Sequence, residues 1–541
     1  MAQTIYPFAA QRFIFGGTKM TDAVRLATVI HWAIGLALVA APLRGQCPDG
    51  SPPPCPIVRA RPAPATNGIA VLYFENRSRD SADAYLAEGL TEAIITQLGD
   101  LPRLIVKSRF LVGRYRGAAA PADPAAIGRA LGVTYLVTGS VQRAGNRLRV
   151  TAELARAAGG DRVWGQQYDR SDGDVFAVQE DIARGVATGV AGRLLPTEAA
   201  KLAVRPTRSN AAYDRMLRGD VLLARRDWMS VQGAIADYKA ATRLDSTLAS
   251  AWARIGLADA IRLYWGWGDG TPPPDSILAN GWAAVDRALA LDSSNSDGWM
   301  ARGYLLTYRY PRTWDGAEEA IRRAIALNPR NAEAWQQLGD LLGIESAGHP
   351  AADSVLREAM RAYQRALEIE PGRPTTLKVL ANIQPSPRER LVLLDSARVV
   401  NPADASILIF RARTLLALGD TAGARSSADE SVRMSGPGAQ TTTEAFRAML
   451  AVAFGDTADA RTRVTALLRD LPTGPLERWT GSGLATALWQ LGDRPGAIAV
   501  LERMPRSAMT WAQSLPLLRQ LDLSNPAQRR LYDENRPPWA Q

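Results

Sequence analysis

The sequence predicts an α/β mixed-sheet domain followed by an all-α superhelix of repeated helix pairs. Between residues 68 and 195, short apolar runs alternate with segments whose apolar residues recur at helical spacing, and a hairpin comes late in the order. From residue 240 onward, similar helix endings recur at steps of 47, 36, 42 and 31 residues. Hydrophobic residues make up 47% and charged residues 22% of the chain, which excludes a mainly disordered chain and a polytopic membrane protein. At about 100–200 residues per domain the 541 residues amount to several domains, or fewer if part of the chain is a repeat array.

Residues 1–46 form an N-terminal signal or anchor segment, with an apolar stretch at 26–43 (LATVIHWAIGLALVAAPL) between Arg25 and Arg44. At about 1.5 Å per residue its 18 residues reach roughly 27 Å, barely a bilayer core. A retained single-pass anchor, a cleaved signal peptide and, with least support, a buried helix of a soluble domain are the readings, and Met20 is an alternative start to Met1. Residues 47–67 form a Pro-rich linker. It opens with Cys47 and Cys55 around PDGSPPP, a spacing that suits a disulfide in an oxidising compartment.

The run 68–74 (GIAVLYF) reads as a buried strand, and 83–98 as a helix ended by Gly99 and Asp100. Residues 104–107 form a second strand and 124–131 a second helix, stopped by Gly132. A third strand covers 133–137. Residues 147–154 alternate as a half-exposed strand after a turn at Gly145-Asn146, and 163–168 add another. Asp172 or Asp174 caps a closing helix over 175–195, whose Gly185, Gly189 and Gly192 suit close packing.

The blocks IAVLYFEN, DAYLAEGLTEAIITQL, AAIGRALGVTYLVTGSVQRAGNRLRVTAEL, RVWGQQYDR and DVFAVQEDIA resemble, in order, the TolB-like (FlgO/TolB-like) amino-terminal domain of bacterial multidomain regulators. The resemblance covers 68–195. In that family the domain often sits between an output module, such as a nucleotide cyclase, a protein kinase or a winged-helix domain, and a repeat array. Here no output module fits in the 67 residues ahead of it.

The array spans 207–505, with 506–541 as a C-terminal cap or tail. Its helix endings carry markers at Asp245, Asp292, Asn328, Glu370 and Asn401. Seven residues after each comes Trp252, Trp299, Trp335, Leu377 or Leu408. LGD at 418, FGD at 454 and LGD at 491 mark later pairs, for a total of about eight repeats, the last ones degenerate. Residues 264–278 and 343–353 are insertions, and Trp265 and Trp267 pack the first of them onto its neighbours.

The best copy carries Trp335, Leu338 and Gly339 in one helix and Tyr363, Ala366 and Pro371 in and after the next. This arrangement resembles a tetratricopeptide repeat of about 34 residues. The resemblance makes Trp252, Trp299 and Trp335 core residues with those five. It implies a right-handed tetratricopeptide superhelix whose groove is lined by Met300, Tyr304, Gln336, Asp340 and Arg413.

The net charge of +10 comes almost wholly from arginine, since lysine occurs only five times, and it is spread among acidic residues rather than gathered in a nucleic-acid-type block. Only His31 and His349 are present, which excludes most histidine-dependent catalysis and any multi-ligand Cys/His zinc site. No phosphate loop, Gly-x-Ser-x-Gly or His-Glu-x-x-His motif occurs.

The expectation is therefore a non-enzymatic protein-interaction scaffold or sensor of the bacterial cell envelope, with no cofactor, no metal and no small-molecule substrate. Its partner would be a protein or peptide bound in the groove, and the N-terminal segment would contact the membrane. The soluble part would lie in the periplasm, anchored to the inner membrane or released by signal cleavage. The alternative is a cytoplasmic regulatory module controlling a cyclase, kinase or transcription regulator supplied in trans.

Overall fold

Strand β1 (Ala65–Val71) forms at an apolar run whose Ile69, Ala70 and Val71 are fully buried. In this computed structural model the described residues are 65–535, apart from 117–122, 146, 171–173, 266–273, 308–315, 348, 350, 403, 435–439, 472–475, 477 and 505–515. The hydrophobic segment 26–43, Cys47, Cys55, the linker up to residue 64, Asn146, Asp172, Trp267 and the side chain of Trp265 lie outside them.

A short β2 (Glu75–Asn76) follows β1, then helix α1 (Ala84–Gly99), β3 (Ile105–Val106), α2 (Arg109–Val112), α3 (Pro124–Leu131) and β4 (Val133–Ala144). Next come β5 (Arg147–Arg156), β6 (Arg162–Arg170), α4 (Val175–Ala191) and α5 (Pro196–Leu202). The strand order is β3-β1-β4-β5-β6, with β2 beside β4. The β1 pairings with β3 and β4 are parallel, and β4–β5 and β5–β6 are antiparallel, so the sheet is mixed as predicted.

β4 is a single strand of 12 residues, and the prediction stopped it at Val137. It continues through Gly139 because the missing side chain is needed there. A Cβ at Gly139 would lie 2.4 Å from the Thr151 carbonyl oxygen and 2.7 Å from the Phe74 ring. On β5, Leu148, Val150, Ala152 and Leu154 are buried beneath α1 and α4, while Arg147 and Arg149 on the other face are exposed. Asp174 caps α4 by accepting from the Ala177 N–H at 2.9 Å. Gly185 and Gly189 receive Trp164 and Leu154, so these glycines serve close packing, while Gly192 (φ 73°) ends the helix. α3 covers the opposite face, over Ala70, Leu72 and Leu136.

The helices that follow form eight antiparallel pairs among the described residues: α6 (Asn210–Ala224) with α7 (Trp228–Leu244), α8 (Ala249–Trp265) with α9 (Pro274–Leu291), and α10 (Ser296–Thr307) with α11 (Ala317–Leu327). Then come α12 (Ala332–Glu345) with α13 (Ala352–Ile369), α14 (Pro374–Ile383) with α15 (Pro387–Val400), and α16 (Ala405–Ala417) with α17 (Thr421–Met434). The last pairs are α18 (Gln440–Ala453) with α19 (Thr457–Asp470) and α20 (Arg478–Gln490) with α21 (Arg494–Glu502), followed by α22 (Pro526–Asn535).

Each of the first four pairs sets a glycine of its first helix against a large side chain of its second. A Cβ on Gly219, Gly256, Gly303 or Gly339 would lie within 2.6 Å of Tyr238, Val285, Ile321 or Tyr363. No pair could bury its apolar face alone, so pairs must stack, which is the physics of a tetratricopeptide array.

The three tryptophans share one role. The indole N–H groups of Trp252, Trp299 and Trp335 donate to the carbonyls of Ser246, Ser293 and Pro329, each six residues back, at 3.1, 2.8 and 3.0 Å. They staple the turn that leads into their own helix while their rings stay half-buried. Leu338, Tyr363 and Ala366 are buried; Pro371 is exposed at a turn.

One continuous apolar core runs from Ile69 in the sheet to Ala334 in α12. Smaller separate cores follow, one from Ala317 to Leu380 across α11 to α14, one from Leu377 to Ile407, and others in the last pairs, the largest of which runs from Ala445 to Leu531.

Candidate partner-binding surface

The inner side of the array is built by the first helices of successive pairs. In the first pair Asp220 accepts from its own pair's Tyr238 hydroxyl at 2.8 Å. In the fourth pair Asp340 stands in the same place, directly after the packing glycine, and accepts from Tyr363 at 2.7 Å. Arg254 on α8 lies 3.3 Å from Asp220 and 3.4 Å from Asp297 on α10. Arg226, in a left-handed conformation at the α6–α7 turn (φ 57°), pairs with Glu333 at the start of α12, 107 residues on. Arg373 is also 3.2 Å from Glu333, and its Nε donates to Gln336 Oε1 at 3.0 Å.

These charges neutralise one another. Burial raises the Glu333 pKa, but Arg226 and Arg373 outweigh it and hold the carboxyl at about 2. Burial pushes Asp340 up to about 7, against the hydrogen bonds from Tyr363 and Gln336.

The α/β domain is fixed across this array. The Tyr85 hydroxyl and Arg143 donate to Asp214 on α6 at 2.8 and 3.0 Å. The Tyr213 hydroxyl donates to Gln179, its ring stands edge-on to Phe176 at 5.5 Å, and Leu217 fills the space over Gly89. At the far end Ser108 Oγ donates to the Pro371 carbonyl at 2.5 Å. Leu111 packs at Gly372 (φ 82°), and the Arg373 guanidinium lies 5.8 Å from the Phe110 ring centre. The domain thus holds the first pair at one end and the lead-in to the fifth at the other.

This changes the expected groove. Met300, Tyr304, Gln336 and Asp340 do not line an open channel: they are 1%, 6%, 4% and 6% exposed. Winding of the array and its internal hydrogen bonds cover them. Tyr304 stacks edge-on against Tyr264 at 5.7 Å, and Gln336 accepts from Thr376 at 2.7 Å as well as from Arg373.

Arg413 differs. It follows the fully buried Ala412 on α16 as Asp340 follows Gly339, yet it is exposed and makes no hydrogen bond or ion pair among the described residues. Surrounding protein and the Arg390 guanidinium still pull its pKa down. Phe410, one turn earlier, meets Trp479 of α20 at 6.3 Å, and Trp479 meets Phe446 of α18 at 6.3 Å.

Sequence reasoning missed two features: the Arg226–Glu333–Arg373 bridge and the contact of residues 108–111 with 371–373. Neither carries a local signal, since each joins ordinary residues far apart in the chain. His349 sits in a turn, accepting from the Ala351 N–H at 2.9 Å.

No family model matches the chain. A protein of Rhizobium meliloti named "Putative adenylate cyclase 3" is 30% identical over 268 residues, which is 49% of this chain and 44% of that protein, so the chain spans less than half of this relative's length. Among solved structures, one titled as a functional characterisation of Pseudomonas aeruginosa pilF matches 42% of this chain and 94% of its own at 19% identity and a TM-score of 0.32. A tetratricopeptide repeat protein from Parabacteroides merdae matches 52% of this chain and 100% of its own at 14% identity and 0.32. YrrB, titled a TPR protein with an unusual peptide-binding site, matches 37% of this chain and 92% of its own at 15% identity and 0.24. Scores this low add no weight to what the chain's own packing shows.

Proposed function

We propose that this chain is a protein-interaction scaffold, without catalysis of its own, in which the helix-pair array binds a segment of another protein. The α/β domain, a TolB-like domain by its sequence blocks, braces the first five pairs and leaves the last three to engage the partner. The observation that carries this reading is the contrast on the inner face, self-neutralised from Asp220 to Arg373 and unpartnered at Arg413. The site of action is the cell envelope, with the segment 26–43 as signal or anchor and Cys47 and Cys55 bridged. Among the described residues no helix is long and apolar enough to cross a membrane.

The test is a photo-reactive residue placed at Arg413 and, as a control, at Glu319 on the outer side of α11. The partner captured from Arg413 alone is then purified and titrated against the full chain. Saturable one-to-one binding supports the scaffold; failure of every purified candidate to bind contradicts it. A reporter active only outside the cytoplasm, fused after Gln541, tests the location.

A second reading is favoured by the name of the Rhizobium meliloti relative. There the chain regulates a nucleotide cyclase supplied by another protein. Cyclase activity of such a protein, measured with and without this chain, separates the two readings.

A further inference from the structure

We propose that the inner face of the last three helix pairs, anchored on Arg413 and floored by Phe410, Phe446 and Trp479, binds a partner segment that carries a carboxylate beside an aromatic side chain. The inference rests on the scaffold reading and gives it a place and a chemistry.

The charge pattern selects the partner. In the first five pairs the inner-face arginines Arg226, Arg254 and Arg373 meet acids of the chain itself: Arg226 and Arg373 meet Glu333, and Arg254 meets Asp220 and Asp297. At the place where the first and fourth pairs carry Asp220 and Asp340, each bonded by a tyrosine of its own pair, the sixth carries Arg413. The charged group it feels most is another cation, Arg390. An exposed guanidinium with no acid of its own among the described residues gains most from a carboxylate delivered from outside.

The floor selects the rest. Phe410, Phe446 and Trp479 come from three successive first helices, and their rings meet at 6.3 Å. Phe410 and Trp479 are half-buried and Phe446 is 8% exposed, so part of the ring surface is open to stacking. An extended segment with an acidic and an aromatic residue close together would pair with Arg413 and lay its ring on this floor.

The probe is a fluorescent peptide about 12 residues long that alternates Glu with Phe and Trp, beside a counterpart with Gln for Glu, titrated against the full chain by anisotropy. The acidic peptide is expected to bind about tenfold tighter than the amide peptide, with the difference shrinking as salt rises. Arg413→Ala should weaken it about tenfold, and Arg413→Glu should remove the preference for acid. Phe410→Ala should weaken both peptides, and Arg323→Ala on α11 should change neither. Since Arg413 is exposed and unpaired, its variants should fold, which their thermal unfolding checks. Equal binding of the two peptides, an Arg413→Glu chain that binds like the parent, or no binding of either peptide up to about 1 mM would each overturn the proposal. Those results would leave the scaffold reading standing wherever a purified partner still binds the full chain elsewhere.

Discussion

The first five helix pairs and the last three are made of the same unit and are held together differently. In the first five, packing within and between pairs is joined to a second layer, the α/β domain, through Asp214, Tyr213 and Leu217 at one end and Pro371, Gly372 and Arg373 at the other. Their inner face is filled by their own hydrogen bonds and ion pairs. Small separate cores already carry the stacking from α11 onward, and in the last three pairs no α/β contact is added to them among the described residues and Arg413 has no partner there. A repeat array is quasi-one-dimensional only where nothing braces it from the side. A brace converts part of the array into a globular body and concentrates its free surface in the remainder.

The largest effect that could break this contrast is a cavity in the braced core. Tyr238 is fully buried, and Tyr238→Ala should cost about 4 kcal/mol, since it also leaves Asp220 without its hydroxyl donor. Calorimetry should show the main transition falling, taking the α/β domain with it. Leu484→Ala, also fully buried but in the eighth pair, should cost about 3 kcal/mol and lower only a smaller, separate transition. If both variants lower the same single transition equally, the two regions are not distinct.

Next in size is the ion bridge. Glu333→Ala leaves Arg226 and Arg373 facing each other without an acid and should cost about 3 kcal/mol in denaturant unfolding. A cost within about 0.5 kcal/mol would mean that the bridge contributes nothing beyond surface charge.

The same region should set a pH dependence. The Asp340 carboxyl is raised to about 7 in the folded chain, against about 3.9 when unfolded, so the fold favours its protonated form. Its contribution is present in acid, falls as pH rises from about 4 to about 7, and is constant above. Glu333, held at about 2, works the other way: its contribution is present above about 4.5 and is lost as pH falls toward 2. Asp340→Asn keeps an acceptor for Tyr363 and should remove the decline between pH 4 and 7. A parent and variant with parallel stability curves over that range would contradict the assignment.

The smallest effects fall at the two ends of the contrast. Phe110→Ala removes the ring beneath Arg373 and should cost about 1 kcal/mol, seen as faster amide exchange at 370–377 with little change in the unfolding midpoint. Arg413→Ala should change stability by no more than about 0.5 kcal/mol, because among the described residues nothing is bonded to its side chain.

Much of the fold is legible in the sequence because its signals are local. The alternation of 147–154, the apolar run at 69–71 and the marker-to-Trp spacing of seven each reflect one element and its immediate neighbour. Gly185 and Gly189 could be read as packing glycines because their helix had to meet the sheet. The inner face could be named but not its state. Gln336 and Asp340 fall on it by register, but whether a face is open depends on contacts such as Arg226 with Glu333 and Ser108 with Pro371, between residues 107 and 263 positions apart. Those pairs are matched by three-dimensional winding, which no spacing within one repeat encodes. The tryptophans were partly misread for a related reason: residue type predicted burial, while the indole N–H found a carbonyl six residues back.

Amide exchange followed by mass spectrometry on the full chain tests the central claim most directly. The account predicts that α1, residues 105–112 and helices α6 to α14 exchange as one slow unit, while α16 to α21 open at lower cost. Exchange at 105–112 and 370–376 as fast as in an exposed loop, with α16 to α21 protected as well as the first five pairs, would contradict it.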